Sequence, residues 1–252
     1  MKKIFFAFLL GLAASAVFSG GSSQKEKKSN NRTSVRDEIF ECDRIEGDLK
    51  GIPLLNSFSK ADRDFFIRVI AFAIDKVNKI VMKQREFILF IKEKRQKCME
   101  LTTAEKEQFN KICSFYQTSD ILELLKRVAP VPVSLAVAQA IHESKFGSDK
   151  NIQRQNAYFG LAKTKTRLLK FDNLFNSAIA YVKTLNVNGK YQGFRKRRMQ
   201  MMNESGKIEG KELAHYIENY GTDKKYSKYV LQLIKEHQLI HHDDPSQKLN
   251  PV

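Results

Sequence analysis

The chain has 252 residues, enough for one large domain or one domain with a helical annex, and for a proper hydrophobic core. Its 44 Lys+Arg against 28 Asp+Glu give a net charge of +16, which favours a polyanionic partner without choosing among nucleic acid, anionic membrane and wall polymer. The three cysteines, Cys42, Cys98 and Cys113, fit no zinc spacing and have no histidine nearby, which excludes a zinc site.

Residues 1–19 read as a signal peptide. Lys2 and Lys3 precede an apolar run from Ile4 to Leu12 and then Ala13, Ala14, Ser15 and Ala16, the charged, apolar and small-residue order of secretory signals. The run is short for a span of about 20 residues. The expected destination is therefore the periplasm or cell envelope, with no integral span after signal removal and no nucleic-acid partner. Residues 20–57 form a linker: Gly, Ser, Asn, Lys and Arg to about Arg36, then a surface segment broken by Gly47, Gly51 and Pro53.

A helical annex is expected over residues 58–128. Ser59-Lys-Ala-Asp62 is a capping signature, and Phe65, Phe66, Val69, Ile70, Ala73, Ile74, Val77, Ile80 and Val81 recur at helical spacing. If the pattern runs unbroken to Cys98 the helix is roughly 55 Å long, so a bend or an extended helical hairpin is expected. Thr102-Thr-Ala-Glu105 opens a partner helix, and Thr118-Ser-Asp120 caps a third over Ile121 to Val128. Cys98 and Cys113 flank the first turn, so a disulfide joining the two helices is one reading and three reduced thiols the other. The annex is a candidate surface for a cell-envelope protein partner.

The stretch VPVSLAVAQAIHESKFG, Val131 to Gly147, opens the second domain, residues 129–240. Pro132 suits a first helical turn, Gly147 the left-handed residue that ends one, and the side chains between them leave hardly a polar face. Glu143 at the end of such a helix is an anomaly. Burial and the negative end of the helix both oppose its ionisation, which is what a general acid near neutral pH requires. Asn156-Ala-Tyr-Phe-Gly160 then reads as a turn with two exposed aromatic residues, and Lys163 to Lys170 as a short hairpin or basic loop. Helices are expected over Asp172–Asn186 and Lys211–Asn219, the latter ended by Gly221, and from Tyr226 to Ile234. Arg195-Lys-Arg-Arg198 reads as a solvated face able to hold wall carboxylates. Residues 241–252 form a loose tail, with His241-His242-Asp243-Asp244 metal-like in composition only.

The order VPVSLAVAQAIHESKFG, NAYFGL, FDNLFNSAIAYVKTLNVNGKYQGFRKRR and ENYGTDKKYSKYVLQLI resembles the bacterial wall N-acetylglucosaminidases of glycoside hydrolase family 73, in particular the Bax-like subgroup, whose N-terminal helical segment also resembles FFIRVIAFAIDKVNKIVMKQREFILFI and LLKRVAPVPVSLA. The resemblance covers about residues 58–238. It implies a mainly α, lysozyme-like α+β fold and hydrolysis of the β-1,4 bond after N-acetylglucosamine in peptidoglycan glycan strands, with no cofactor or metal. It places the acid at Glu143, a site tyrosine at Tyr226 or Tyr220, with Tyr226 favoured, and the sugar groove at Phe146, Asn156, Tyr158, Phe159 and Gly160.

The chain also departs from that pattern. Phe146 stands at a position usually Trp, Lys145 at a small or Gly position, and no Trp occurs anywhere. Between Gly160 and Phe171, where relatives often carry a second carboxylate, there is no Asp or Glu. A two-carboxylate mechanism needs its partner roughly 5 to 10 Å from the acid, and the candidates elsewhere are Asp149, Asp172 and Asp223. The alternatives to a hydrolase are a lytic transglycosylase using the same acid and a wall-binding protein that has lost catalysis.

Overall fold

The computed structural model describes residues 59–164, 167–221 and 223–243. The signal, linker and surface-segment readings, Cys42, and the tail beyond Asp243 lie outside them. Helix α1, Lys60–Gln96, is 37 residues long and is capped by Ser59, whose hydroxyl accepts from Asp62 N at 3.1 Å. It is continuous, with the chain reversal coming only after Gln96. Neither Gly nor Pro interrupts the ladder, and Phe66, Ile70, Ile74, Val77, Val81, Ile88 and Ile91 keep one buried stripe along its length.

Helix α2, Thr103–Tyr116, begins with a full capping box. Thr102 Oγ1 accepts from Glu105 N, and Glu105 Oε2 accepts from Thr102 N. Glu105 also pairs with Lys94 at 2.7 Å, tying the start of α2 to the end of α1. Of the two readings of Cys98 and Cys113 the reduced one holds: Cys98 sits exposed in the turn, Cys113 faces the interior, and both are free thiols.

Helix α3, Ile121–Arg127, is capped by Asp120 and leads through residues 128–132 into helix α4, Val133–Ser144, with Pro132 as the N-cap. Next in the chain come α5 (Lys150–Gln155), an antiparallel pair β1 (Ala162–Thr164) and β2 (Arg167–Leu168), α6 (Leu174–Val187), α7 (Gln192–Ser205), α8 (Gly210–Leu213) and α9 (Tyr226–Glu236). A 3-10 turn over Leu239–His242 comes last. The fold is mainly α with one small hairpin, a lysozyme-like α+β arrangement.

Helix α4 lies in the middle, packed against α1, α8, α9 and the last 3-10 turn, within one core that runs from Phe66 to Leu239. The backbone leading into α4 is buried and is satisfied from remote elements. Asn78 on α1 exchanges two hydrogen bonds with Val131, at 2.8 and 3.0 Å. Asn186 donates to Ala129 O, Arg85 to Leu125 O and Val128 O, and Arg198 to Lys126 O and Pro130 O. The expected solvated run 195–198 is thus corrected at both ends. Arg195 and Arg198 are buried cations that cap carbonyls at helix ends, and burial lowers the Arg198 pKa to about 9.

Residues 241–243 are not loose. Asp243 accepts from Ser134 N at 2.8 Å, Ser134 Oγ at 2.6 Å and Gly210 N at 2.9 Å, so a carboxylate from the far end of the chain seals the first turn of α4. Its partner Gly210 is required by space, since a Cβ there would overlap Ser134 Oγ. Burial raises the Asp243 pKa against the lowering effect of these hydrogen bonds. Among the described residues no group of three or more His, Cys, Asp or Glu is arranged around a common point. No described helix is long and apolar enough to cross a membrane. Replacing Asp243 with Ala orphans two buried N–H groups and should cost about 3 kcal/mol, read as a lower denaturant midpoint with an unchanged slope.

Candidate active site

Glu143 is the penultimate residue of α4 and the only carboxylate on that helix. The backbone just after the helix is unusual: Lys145, Phe146 and Gly147 take φ of 51°, 57° and 75°, three left-handed residues in succession. The turn is held by Ser144, whose hydroxyl donates to Ala140 O at 2.6 Å and accepts from Gly147 N at 2.9 Å. Gln153 Nε2 donates to Gly147 O. Two non-glycine residues in this region cost about 1–2 kcal/mol each. That strain sits directly after Glu143, so the expected single left-handed stop at Gly147 is instead a three-residue reversal. It swings Phe146 back against Phe66 and His237, at centroid distances of 6.0 and 5.2 Å, with the Arg63 guanidinium over its ring.

The Glu143 carboxyl is half-buried and meets two neighbours. Tyr226 donates its hydroxyl to Oε1 at 2.9 Å. On the other side lies Gly160, φ 66°, where a Cβ would overlap Oε2 and come within 2.7 Å of Cδ. Only glycine leaves room for the acid there. Burial raises the Glu143 pKa, and the Tyr226 hydrogen bond partly offsets it. Behind Tyr226 the contacts continue: Gln139 Nε2 donates to Tyr226 Oη at 3.1 Å, and Tyr181 Oη donates to Gln139 Oε1 at 2.8 Å.

The two candidate tyrosines stack on each other, 5.7 Å between centroids, but have different duties. Tyr226 reaches Glu143, whereas Tyr220 gives its hydroxyl to Phe159 O at 2.6 Å and so fixes the turn that carries Gly160. Gly221 does not stop a helix. A Cβ on it would strike the Tyr226 ring, so it is the space in which that ring lies.

The aromatic pair of the 156–160 turn is corrected: Tyr158 and Phe159 are 1% and 0% exposed and pack in the core, with Phe159 stacked on Tyr181 at 4.4 Å. Neither offers a face to a sugar. Asn156 caps α5 in the left-handed conformation and donates to Phe171 O and Asp172 O, which clamps both ends of the segment carrying Gly160 and the β hairpin. Partly exposed rings beside the site include Tyr220 and a pair on α4 and α9. His142 is exposed, stacked on Tyr229 at 5.7 Å and edge-on to Tyr226 at 5.0 Å. This pair was missed because a lone His and a lone Tyr carry no joint signal when they are remote in sequence.

Among the described residues the Glu143 carboxyl takes one hydrogen bond, from the phenol of Tyr226, and none of the three candidate second carboxylates shares it. Asp149 caps α5, Asp172 is exposed, and Asp223 accepts from Lys225 N at the start of α9 and faces His142.

The buried acid and the left-handed turn both bear on stability. Because the Glu143 pKa is higher folded than unfolded, the folded state holds more protons between the two values, and stability falls as pH rises through that window. Glu143→Gln should therefore melt higher than the parent at neutral pH, with the difference vanishing at pH below the unfolded value. Lys145→Gly should add about 1 kcal/mol by relieving a left-handed side-chain residue, seen as a raised denaturant midpoint.

Residues 119–239 match the model of the Glucosaminidase family, mannosyl-glycoprotein endo-beta-N-acetylglucosaminidase. Protein bax of Escherichia coli (strain K12) is 29% identical over 126 residues, which span 46% of this chain and 46% of that protein. The match thus covers less than half the length of that curated relative. No solved structure matches the chain. The acid-bearing helix, the Gly160 turn and the Tyr220–Tyr226 segment all lie inside the matched region, so the part of the chain that holds the candidate site is the part similar to the mannosyl-glycoprotein endo-beta-N-acetylglucosaminidase family.

Proposed function

We propose that this protein hydrolyses the β-1,4 bond on the reducing side of N-acetylglucosamine in bacterial peptidoglycan, with Glu143 as its one general acid. The observation that carries the reading is the Glu143 carboxyl itself: half-buried, raised in pKa, given one hydrogen bond by Tyr226 and given space by a glycine. A carboxyl held in its protonated form can hand a proton to a glycosidic oxygen as the C–O bond breaks. The family supplies the N-acetylglucosaminidase class, and the net charge of +16 suits an anionic wall polymer. The N-terminal pattern supports an exported enzyme acting in the periplasm or cell envelope.

What attacks the sugar is the second half of the proposal. With no Asp or Glu between Gly160 and Phe171 and no carboxylate among the described residues hydrogen-bonded to Glu143, the positive charge that develops at C1 is met by the substrate's own acetamido oxygen or by water, not by an enzyme nucleophile. The same single-acid site would also suit a transglycosylase, in which the muramic acid hydroxyl closes on C1 and no water enters. The two outcomes differ in their products.

Digestion of purified sacculi with mass spectrometry of the soluble fragments tests this. Reducing-end N-acetylglucosamine products are expected; anhydromuramyl ends would replace the hydrolase with a transglycosylase, and no release of sugar would leave only a wall-binding protein. Glu143→Gln should lower the rate about 10²- to 10⁴-fold. Tyr226→Phe should retain measurable activity, and because it removes a hydrogen bond that lowers the acid's pKa, the alkaline limb of its pH profile should move upward. A Glu143→Gln variant as active as the parent would remove Glu143 from the mechanism.

A further inference from the structure

The hydrogen bonds behind Glu143 have a direction, and that direction is set at the end farthest from the acid. Tyr181 is wholly buried, stacked on Phe159, and its hydroxyl makes one hydrogen bond among the described residues, to Gln139. A buried hydroxyl that lacks an acceptor is costly. The Gln139 amide oxygen therefore faces Tyr181, and its Nε2 must face Tyr226. A primary amide nitrogen only donates, so Tyr226 Oη accepts from it and the hydroxyl proton of Tyr226 is left to point at Glu143 Oε1. With the amide turned over, Tyr226 would donate to Gln139, the proton of Tyr181 would be orphaned in the core, and Glu143 would lose its donor. The polarity is thus set by the chemistry of three buried groups.

We infer that Gln139 and Tyr181 are positioning residues that aim the Tyr226 hydroxyl proton at Glu143 Oε1 and thereby assign the transferred proton to Oε2, the oxygen lying against Gly160. The two carboxyl oxygens then have separate tasks. The O–H bond on Oε2 breaks as one forms to the glycosidic oxygen, and the electron pair left behind gives a carboxylate whose Oε1 already has a donor in place. No reorientation of Tyr226 is needed at that moment, which is the advantage of a pre-aimed dipole. Only the delivery step rests on Glu143 being the acid; the polarity of the network does not.

The test is a ¹³C NMR titration of the Glu143 side-chain carboxyl in the full chain, its signal assigned by its loss in Glu143→Gln, for the parent, Gln139→Met and Tyr181→Phe. Tyr181→Phe keeps the stacked ring and frees the amide to turn, so protonated Glu143 can donate to Tyr226 and gains a partner that it lacks in the parent. Its pKa should rise by about half a unit or more. Gln139→Met should raise it likewise, and on sacculi both should lower kcat about tenfold at constant KM. Thermal melts establish that each variant is folded, and Tyr181→Phe decides the matter if Gln139→Met is not. A Glu143 pKa in folded Tyr181→Phe that matches the parent overturns the inference. A parent inactive on sacculi would instead sink the functional proposal, and the titration, which needs no substrate, would still judge the polarity.

Discussion

The structure depends on keeping one helix dry. Helix α4 carries Leu135, Val137, Ala138, Ala140 and Ile141 into the core together with Ser134, Gln139 and Ser144, so almost none of its surface meets water. A helix can be buried in this way only if the backbone groups at its ends find partners. Here they come from far along the chain. Asp243 closes the first turn, Asn78, Asn186, Arg85 and Arg198 satisfy the segment that feeds it, and the Ser144 hydroxyl braces the left-handed reversal at its end. Each arrangement fixes the axial position and rotation of α4. Glu143 is placed by the helix, and the helix is placed by these bonds.

The same dryness sets the chemistry. A carboxyl near the negative end of a buried helix, with tyrosines for neighbours, holds its proton longer than a solvated one. The charge it would carry acts outward as well: Tyr191, Tyr220 and Tyr226 are all pushed up partly by Glu143. For these phenols desolvation is the larger cause, so they stay neutral hydroxyl donors throughout the range in which Glu143 titrates. Neutral phenols near one acid, of which Tyr226 alone donates to it, can accept a change of its charge without exchanging protons themselves.

Much of this was legible locally. The caps at Ser59, Thr102 and Asp120 and the stripe of α1 depend on residues a few positions apart, and the anomaly at Glu143 is a contrast within one apolar helix. The β hairpin was one of two readings of its segment. What stayed hidden depends on partners distant in sequence. Asp243 looked like a tail residue because Ser134 is 109 residues away. Arg195 and Arg198 look solvated in any window that lacks the carbonyls they reach. Tyr158 and Phe159 looked exposed because a turn ending in glycine is usually superficial, whereas this one is pressed inward by Tyr181 and Tyr220. The left-handed Lys145 and Phe146 run against their own propensity, and such conflicts gather at functional sites.

The acid-free segment between Gly160 and Phe171 takes its meaning from its anchors. Asn156 clamps its two ends together, Tyr220 fixes its first residues, and Gly160 touches the Glu143 carboxyl. The segment thus shapes the space around the acid with backbone at Gly160 and supplies no carboxylate, only the cations Lys163, Lys165, Arg167 and Lys170 farther along. A carboxylate added there would lie close to Glu143, and like charges that cannot both ionise freely push the acid's pKa further up. It would bring a nucleophile or base at the cost of the poise that burial and Tyr226 now set. The segment between Gly160 and Phe171 therefore leaves that poise to burial and Tyr226 alone, because it brings no carboxylate to the acid.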